Sequence, residues 1–254
     1  MTATLAGKTA VVLGASGNKN FGSAIAKRLA AAGANVVVSA RRKAPLLKLA
    51  NDIGGLAVSC NVEDENHIGA LFSAAQQAYG AVDIAVYSAG VHAGGLIAEL
   101  SAEDIRPTME VSFIGALLFF KHAAAAMPAG GSVITISSLT ARLPGPQLAV
   151  YSGARAGIDY AIKVAAVEYA ERRVRFNSIA AGLIRTDMTD AFFEMAPVVE
   201  AHLRETPAGR MGTLDDMAEA ALFLADEQRS GYINGQVLDL AGGQQMGHLP
   251  RFDN

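Results

Sequence analysis

A single cysteine, Cys60, stands among 254 residues. An internal disulfide framework and a cysteine-rich metal site are thereby excluded, and a reducing cytoplasm is the expected setting. Charge is sparse, at 18% of residues, and sums to only -3. Such a chain has no general attraction for nucleic acid or for an acidic membrane surface. Long apolar runs are missing too: stretches such as "ALLFF" at 116–120 fall far short of the ~20 residues that span a bilayer. The opening "MTATLAGKTAVVLG" lacks the basic start, apolar stretch and small-residue cleavage site of a secretion signal, so a soluble protein is expected. His67, His92, His122, His202 and His248 lie scattered without the spacing of metal ligands, and no metal is expected. No internal repeat, low-complexity tract or Pro/Gly-rich linker interrupts the chain, so residues 1–254 read as one domain.

What is present is small and apolar: 51% hydrophobic residues and 26 glycines, suited to buried strands joined by tight turns. Seven short runs rich in β-branched residues alternate with longer alanine-rich stretches of helical period. They are "TAVVL" (9–13), "NVVVS" (35–39), "LAVS" (56–59), "VDIAVYS" (82–88), "GSVITIS" (131–137), "VRFNSIA" (174–180) and "GQVLDLA" (235–241). The runs are apolar throughout rather than alternating, as expected where helices cover both faces of a parallel sheet. The fold class is therefore α/β, a doubly wound seven-stranded parallel sheet of Rossmann type with right-handed crossovers.

Between the last two runs, the segment 186–210, "TDMTDAFFEMAPVVEAHLRETPAGR", breaks this rhythm with Phe, Met and prolines at 197 and 207. In open α/β sheets the ligand crevice lies beyond the carboxyl ends of the strands, which makes the segment a substrate lid; the alternative is a peripheral helical hairpin. Phe192 and Phe193 would line such a lid and point to a small, mainly apolar substrate.

After the first run comes "GASGNKNFGSAIAKRLAAAG". Gly14, Gly17 and Gly22 allow a sharp turn and close approach of backbone to a pyrophosphate, and the following helix offers free N–H groups and a partial positive charge. Ser16 and Phe21 belong to the same loop. The spacing is not G-x-G-x-x-G, so the loop carries weight only together with the strand before it and the helix after it. The second run ends in "VVVSARRKA", with no carboxylate to accept from a ribose 2'-hydroxyl. Arg41 and Arg42 instead suit a 2'-phosphate, with Lys19 as a helper, so NADP is expected in preference to NAD. The alternative is a solvated basic helix start.

Taken in order, the glycine loop, "YSAG" at 87–90, "ISS" at 136–138, Tyr151, "NSIAAGLIRT" at 177–186 and "INGQVLDLAGG" at 233–243 resemble the short-chain dehydrogenase/reductase family over nearly the whole chain. The most specific element is Ser138, thirteen residues before Tyr151. The resemblance implies that Tyr151 gives or takes the proton on a carbonyl or alcohol oxygen and that Ser138 hydrogen-bonds the same oxygen. In that family a lysine one helical turn beyond the tyrosine acidifies it and holds the nicotinamide ribose. Residues i and i+4 share a helix face, and a phenol of ordinary pKa ~10 needs a nearby cation to act as a base near neutrality. The resemblance further implies that Asn61, with Val62 beside it, lies against the adenine, that Ser88, Ala89 and Gly90 border the cofactor, and that Ile184 and Thr186 reach the nicotinamide carboxamide. His92, after the fourth strand, and Leu143, Gln147 and Leu148, between Ser138 and Tyr151, are candidate substrate contacts. The family usually assembles, so a homotetramer or homodimer is expected, with "GALLFF" and "AIKVAAVEYA" as candidate interfaces.

Four positions depart from the family pattern: Arg155 replaces the lysine, Ser112 an asparagine that anchors a relay water, Ser88 the asparagine of Asn-Ala-Gly, and Ala181 a proline. Arginine supplies a fixed charge and donates to ribose hydroxyls, but it cannot pass a proton along. The glycine loop is two residues longer than the commonest form and resembles that of divergent enoyl-carrier-protein reductases. Those space tyrosine and lysine seven apart, and seven beyond Tyr151 stands Ile158. "YSGARAG" also resembles halohydrin dehalogenases, which close an epoxide with Ser, Tyr and Arg and no nicotinamide. The main expectation is an NADP-dependent oxidoreductase interconverting a ketone and a secondary alcohol. The alternatives are a cofactor-free lyase using Ser138, Tyr151 and Arg155, and a dinucleotide-binding protein with little catalysis. The retained glycines and the arginines after the second strand favour the first.

Overall fold

The computed structural model describes residues 4–92 and 94–247, which leaves His248 outside the described residues. β1 (Thr9–Leu13), β2 (Asn35–Ala40), β3 (Leu56–Ser59), β4 (Ile84–Tyr87), β5 (Gly131–Ser138), β6 (Val174–Ala181) and β7 (Val237–Leu240) form one sheet in the order β3-β2-β1-β4-β5-β6-β7. Every neighbouring pair is parallel. All seven expected runs are strands. The helices are α1 (Phe21–Ala31), α2 (Lys43–Ile53), α3 (Glu65–Tyr79), α4 (Ala102–Met109), α5 (Gly115–Ala125), α6 (Ala149–Glu168), α7 (Asp190–Phe193), α8 (Ala196–Arg204), α9 (Leu214–Ala225) and α10 (Glu227–Ser230).

Alternate side chains of each central strand enter two separate cores. Val11, Leu13, Val37 and Ala85 pack on one face with α3, α5 and α6; Ala10, Val12, Val36 and Ile84 pack on the other with α1, α2 and α9. Each fully buried Val, Leu or Ile contributes about 1.5–3 kcal/mol, so an unbroken apolar run commits its segment to the middle of the sheet. From β1 the chain winds outward through β2 and β3, then returns to place β4 on the other side of β1. The loops leaving β1 and β4 therefore part, and the parting opens the crevice in which open α/β sheets bind ligands.

Ser101 and Asp104 form a reciprocal cap at the start of α4, and Pro107 lies within that helix. One turn on, the backbone widens into a π-helical turn at Glu110–Ile114, which holds Ser112. The segment 186–210 contains α7 and α8, with Met188, Phe192 and Met195 exposed. Among the described residues no helix is long and apolar enough to cross a membrane.

Candidate active site

A cleft of about 650 Å³ runs over the carboxyl edge of the sheet between the ends of β2 and β5. The end of β1 forms its floor. Gly14 has φ +94, and a Cβ there would stand 2.6 Å from the Ser88 carbonyl carbon, so glycine lets the β1 and β4 ends lie together. A Cβ on Gly22 would stand 2.6 Å from Gly14 O, which fits a glycine needed for close packing of helix on strand. Asn20 caps α1 by accepting from Ser23 N at 2.7 Å, and it donates to Gly14 O at 3.1 Å. That one side chain braces the lengthened loop from within.

The first turn of α1 carries no acidic residue, and its N-terminus opens beside Gly14, Ser16 and Gly17 in the cleft wall. Arg41 and Arg42 line the β2 end. Arg42 donates to Ser16 O at 2.8 Å and to Ser16 Oγ at 3.3 Å, which ties it to the glycine loop. Lys19 turns away. Its Nζ lies 3.8 Å from Asp190 of α7, and its N–H donates to Asp187 Oδ1 at 3.2 Å, while Asp187 N donates to Lys19 O at 2.8 Å. The start of the 186–210 segment is thus fastened to the glycine loop. Cys60 also lines the cleft; burial pushes its thiol up to about 11, so it is a neutral wall.

At the β5 end, Tyr151 and Arg155 stand one turn apart on α6. Arg155 Cζ is 5.2 Å from the Tyr151 ring centre, and the His92 ring centre is also 5.2 Å from it. The guanidinium is buried and donates to Ile136 O at 2.8 Å. Ser138 ends β5 with its hydroxyl accepting from Thr140 N at 3.2 Å and Thr140 Oγ1 at 3.0 Å; its side chain is not part of the cleft lining. The Ser112 hydroxyl is fully buried, with no partner among the described residues, and its neighbour Val111 lines the cleft.

A family model described as Enoyl-(Acyl carrier protein) reductase matches residues 14–245. Carbonyl reductase family member 4 of Danio rerio is 33% identical, over 94% of this chain and 98% of that protein. 3beta-hydroxysteroid dehydrogenase 1 of Eggerthella lenta is 33% identical, over 95% of each. A solved short-chain type dehydrogenase/reductase from Mycobacterium ulcerans matches with a TM-score of 0.92 and 28% identity, over 99% of this chain and 94% of that one. The chain belongs to the short-chain dehydrogenase/reductase family.

In this short-chain dehydrogenase/reductase, several expected cofactor residues do meet in one cleft. Phe21, Val62, Ser88, Ala89, Gly90 and Thr186 line it together with the glycine loop, the arginines, Tyr151 and Arg155. Asn61 is turned to Glu63, and Ile184 is buried in the core behind Thr186. Of the expected substrate contacts, His92 stands against Tyr151. Gln147 and Leu148 front a second hollow of about 640 Å³ with Leu96 and Pro144 instead, and Leu143 is exposed beside it. Phe192 faces solvent, and Phe193 lies under the Arg185 guanidinium at 5.7 Å. Among the described residues no three His, Cys, Asp or Glu converge on a metal position.

Asn20, Cys60, Asp187 and Met188 are cleft residues that sequence reasoning missed. Asn20 had a signal, because asparagine just before a periodic apolar run is a favoured helix cap. Asp187 had none. The wall of the cleft fits a dinucleotide: a helix N-terminus with no acid in its first turn, guanidinium groups at one end and a phenol beside a cation at the other, while the Asp187 carboxylate beside Gly17 is occupied by the Lys19 N–H.

Proposed function

We propose that this family member is an NADP-dependent oxidoreductase that interconverts a ketone and a secondary alcohol, with Tyr151 as its acid–base group. The observation that carries the reading is that the Tyr151–Arg155 pair and the Arg41–Arg42 pair border one continuous cleft. The strand ends beside the two pairs, β5 and β2, are three strand spacings apart, about 14 Å, a span suited to an extended dinucleotide. Arg41 and Arg42 would hold the 2'-phosphate, Gly14 and Gly17 would let the backbone approach the pyrophosphate, and Arg155 would donate to the ribose. A reduced nicotinamide held by these residues would supply the hydride for the carbonyl carbon.

In the reducing direction Tyr151 gives its proton to the substrate oxygen, and the fixed charge of Arg155 favours the phenolate left behind. Ser138 accepts both Thr140 donors, which leaves its own hydroxyl proton free to be donated to a substrate oxygen. Arg155 keeps its charge throughout, so Tyr151 recovers its proton from water on the side where the exposed His92 stands against its ring. The segment 186–210 closes over a small, mainly apolar substrate. Exposed Tyr160, Val164 and Val167 on α6 support self-association as a homodimer or homotetramer.

The Tyr151-x-x-x-Arg155 pattern also suits a cofactor-free lyase, but an open cleft beside Gly14 and Gly17 weighs against it. Ile158, fully buried, gives no cation at the longer spacing of divergent enoyl reductases. Titration with NADPH and NADH, followed by a halide-release assay on a vicinal haloalcohol, tests the reading. Tight NADPH binding without halide release is expected; halide release without cofactor would overturn it.

A further inference from the structure

One turn beyond Arg155, α6 carries a second buried ionisable side chain, Asp159. The two are 5% and 8% exposed, and residues four apart share one face of a helix. An arginine cannot shed its proton in a protein interior, so its charge has to be met by an anion or by several acceptors; a lysine there could have discharged instead. Arg155 is only partly met. Nη1 donates to Ile136 O at 2.8 Å, whereas among the described residues Nε has no hydrogen-bond partner. Asp159 is complementary: Oδ1 accepts from Ser178 Oγ at 2.8 Å, whereas Oδ2 has no partner.

We propose that Asp159 is the buried counter-charge of Arg155 and, through it, a positioning residue for Tyr151. The pairing stands whatever the reaction; its consequence for catalysis rests on Tyr151 being the acid–base group. No direct hydrogen bond or ion pair joins Asp159 and Arg155 among the described residues, so the anion one turn below acts through its field on a guanidinium that the Ile136 carbonyl and Gly90 hold beside the Tyr151 ring.

The groups that face Asp159 are Ser137 of β5, Ser178 of β6, Arg155 of its own helix, and Arg142, which follows β5 and is ion-paired with Asp239 of β7. On α4 and the π turn, which pack against α6, Glu103, Asp104 and Arg106 are exposed and Glu110 is half-buried. Burial raises the Asp159 carboxyl above its ordinary 3.8, and the Ser178 and Ser137 hydroxyls and the fields of Arg142 and Arg155 pull it back.

The test is an NMR titration of isotope-labelled aspartate carboxyls in the full chain without cofactor, with the Asp159 signal assigned by its loss in Asp159→Asn. Arg155→Met should move the Asp159 midpoint up by about one pH unit or more, while Arg155→Lys leaves it within a few tenths. An unmoved midpoint in Arg155→Met overturns the pairing. Should that variant fail to fold, the pH profile of Asp159→Asn decides, because asparagine mimics the protonated acid. Its kcat should match the wild type at acid pH and fall behind by about tenfold as pH rises through the carboxyl midpoint, with KM little changed. A loss of equal size at every pH would mean a purely structural residue and would overturn the positioning role.

Discussion

A Cβ on residue 90 would stand 2.0 Å from Arg155 Nη2, so the Gly90 main chain and the guanidinium fill adjoining space with none to spare. Gly90 does not have positive φ, and the group it would meet is the far end of a long side chain. Gly90→Ala should therefore fold normally and displace Arg155 from Tyr151. The expected result is a melting temperature within a few degrees of wild type and a kcat lowered about a hundredfold. A normal kcat would show that the position of the guanidinium is immaterial.

Arg42 bridges the end of β2 to Ser16 and leaves its charge at the edge of the cleft. Removing it in Arg42→Ala should weaken NADPH by about ten- to a hundredfold, the worth of a charged hydrogen bond, and leave NADH within about twofold. Calorimetric titration with both cofactors checks this. Equal losses for the two would assign Arg42 to loop architecture alone.

The raised carboxyl of Asp159 makes stability depend on pH in a defined direction. The folded chain holds this proton at pH values where the unfolded chain, with its ordinary value of 3.8, has lost it. Its contribution is therefore full below 3.8, is lost as pH rises from there through the raised folded value, and is level above that. Urea midpoints measured across that window should fall with rising pH in the wild type relative to Asp159→Asn, in which this component is absent and only the opposite contribution of carboxylates held low, such as Asp216, remains. An identical slope in both proteins would contradict the assignment.

The sheet was legible because "TAVVL" and "NVVVS" are apolar on both faces, a pattern that only a strand with helices above and below requires. Strand ends shifted by up to two residues at 82–88 and 235–241, where the chain enters from turns. The Tyr151–Arg155 pair was legible because four residues make one helical turn. Asp187 was not, since its bond to Lys19 joins residues 168 apart. Gln147 lies between Ser138 and Tyr151 in sequence, but its φ of +65 turns the chain so that it and Leu148 face a separate hollow. The role of Asp159 was hidden because a charge in an alanine-rich helix reads as a solvated face until its burial is known.

The central claim is that Tyr151 moves the proton while a separate set of residues holds the cofactor. Purified Tyr151→Phe should be measured for NADPH affinity and for turnover of a ketone that the wild type reduces. The account predicts a dissociation constant within about twofold of wild type and a kcat lowered about a thousandfold. Wild-type turnover in Tyr151→Phe would contradict it.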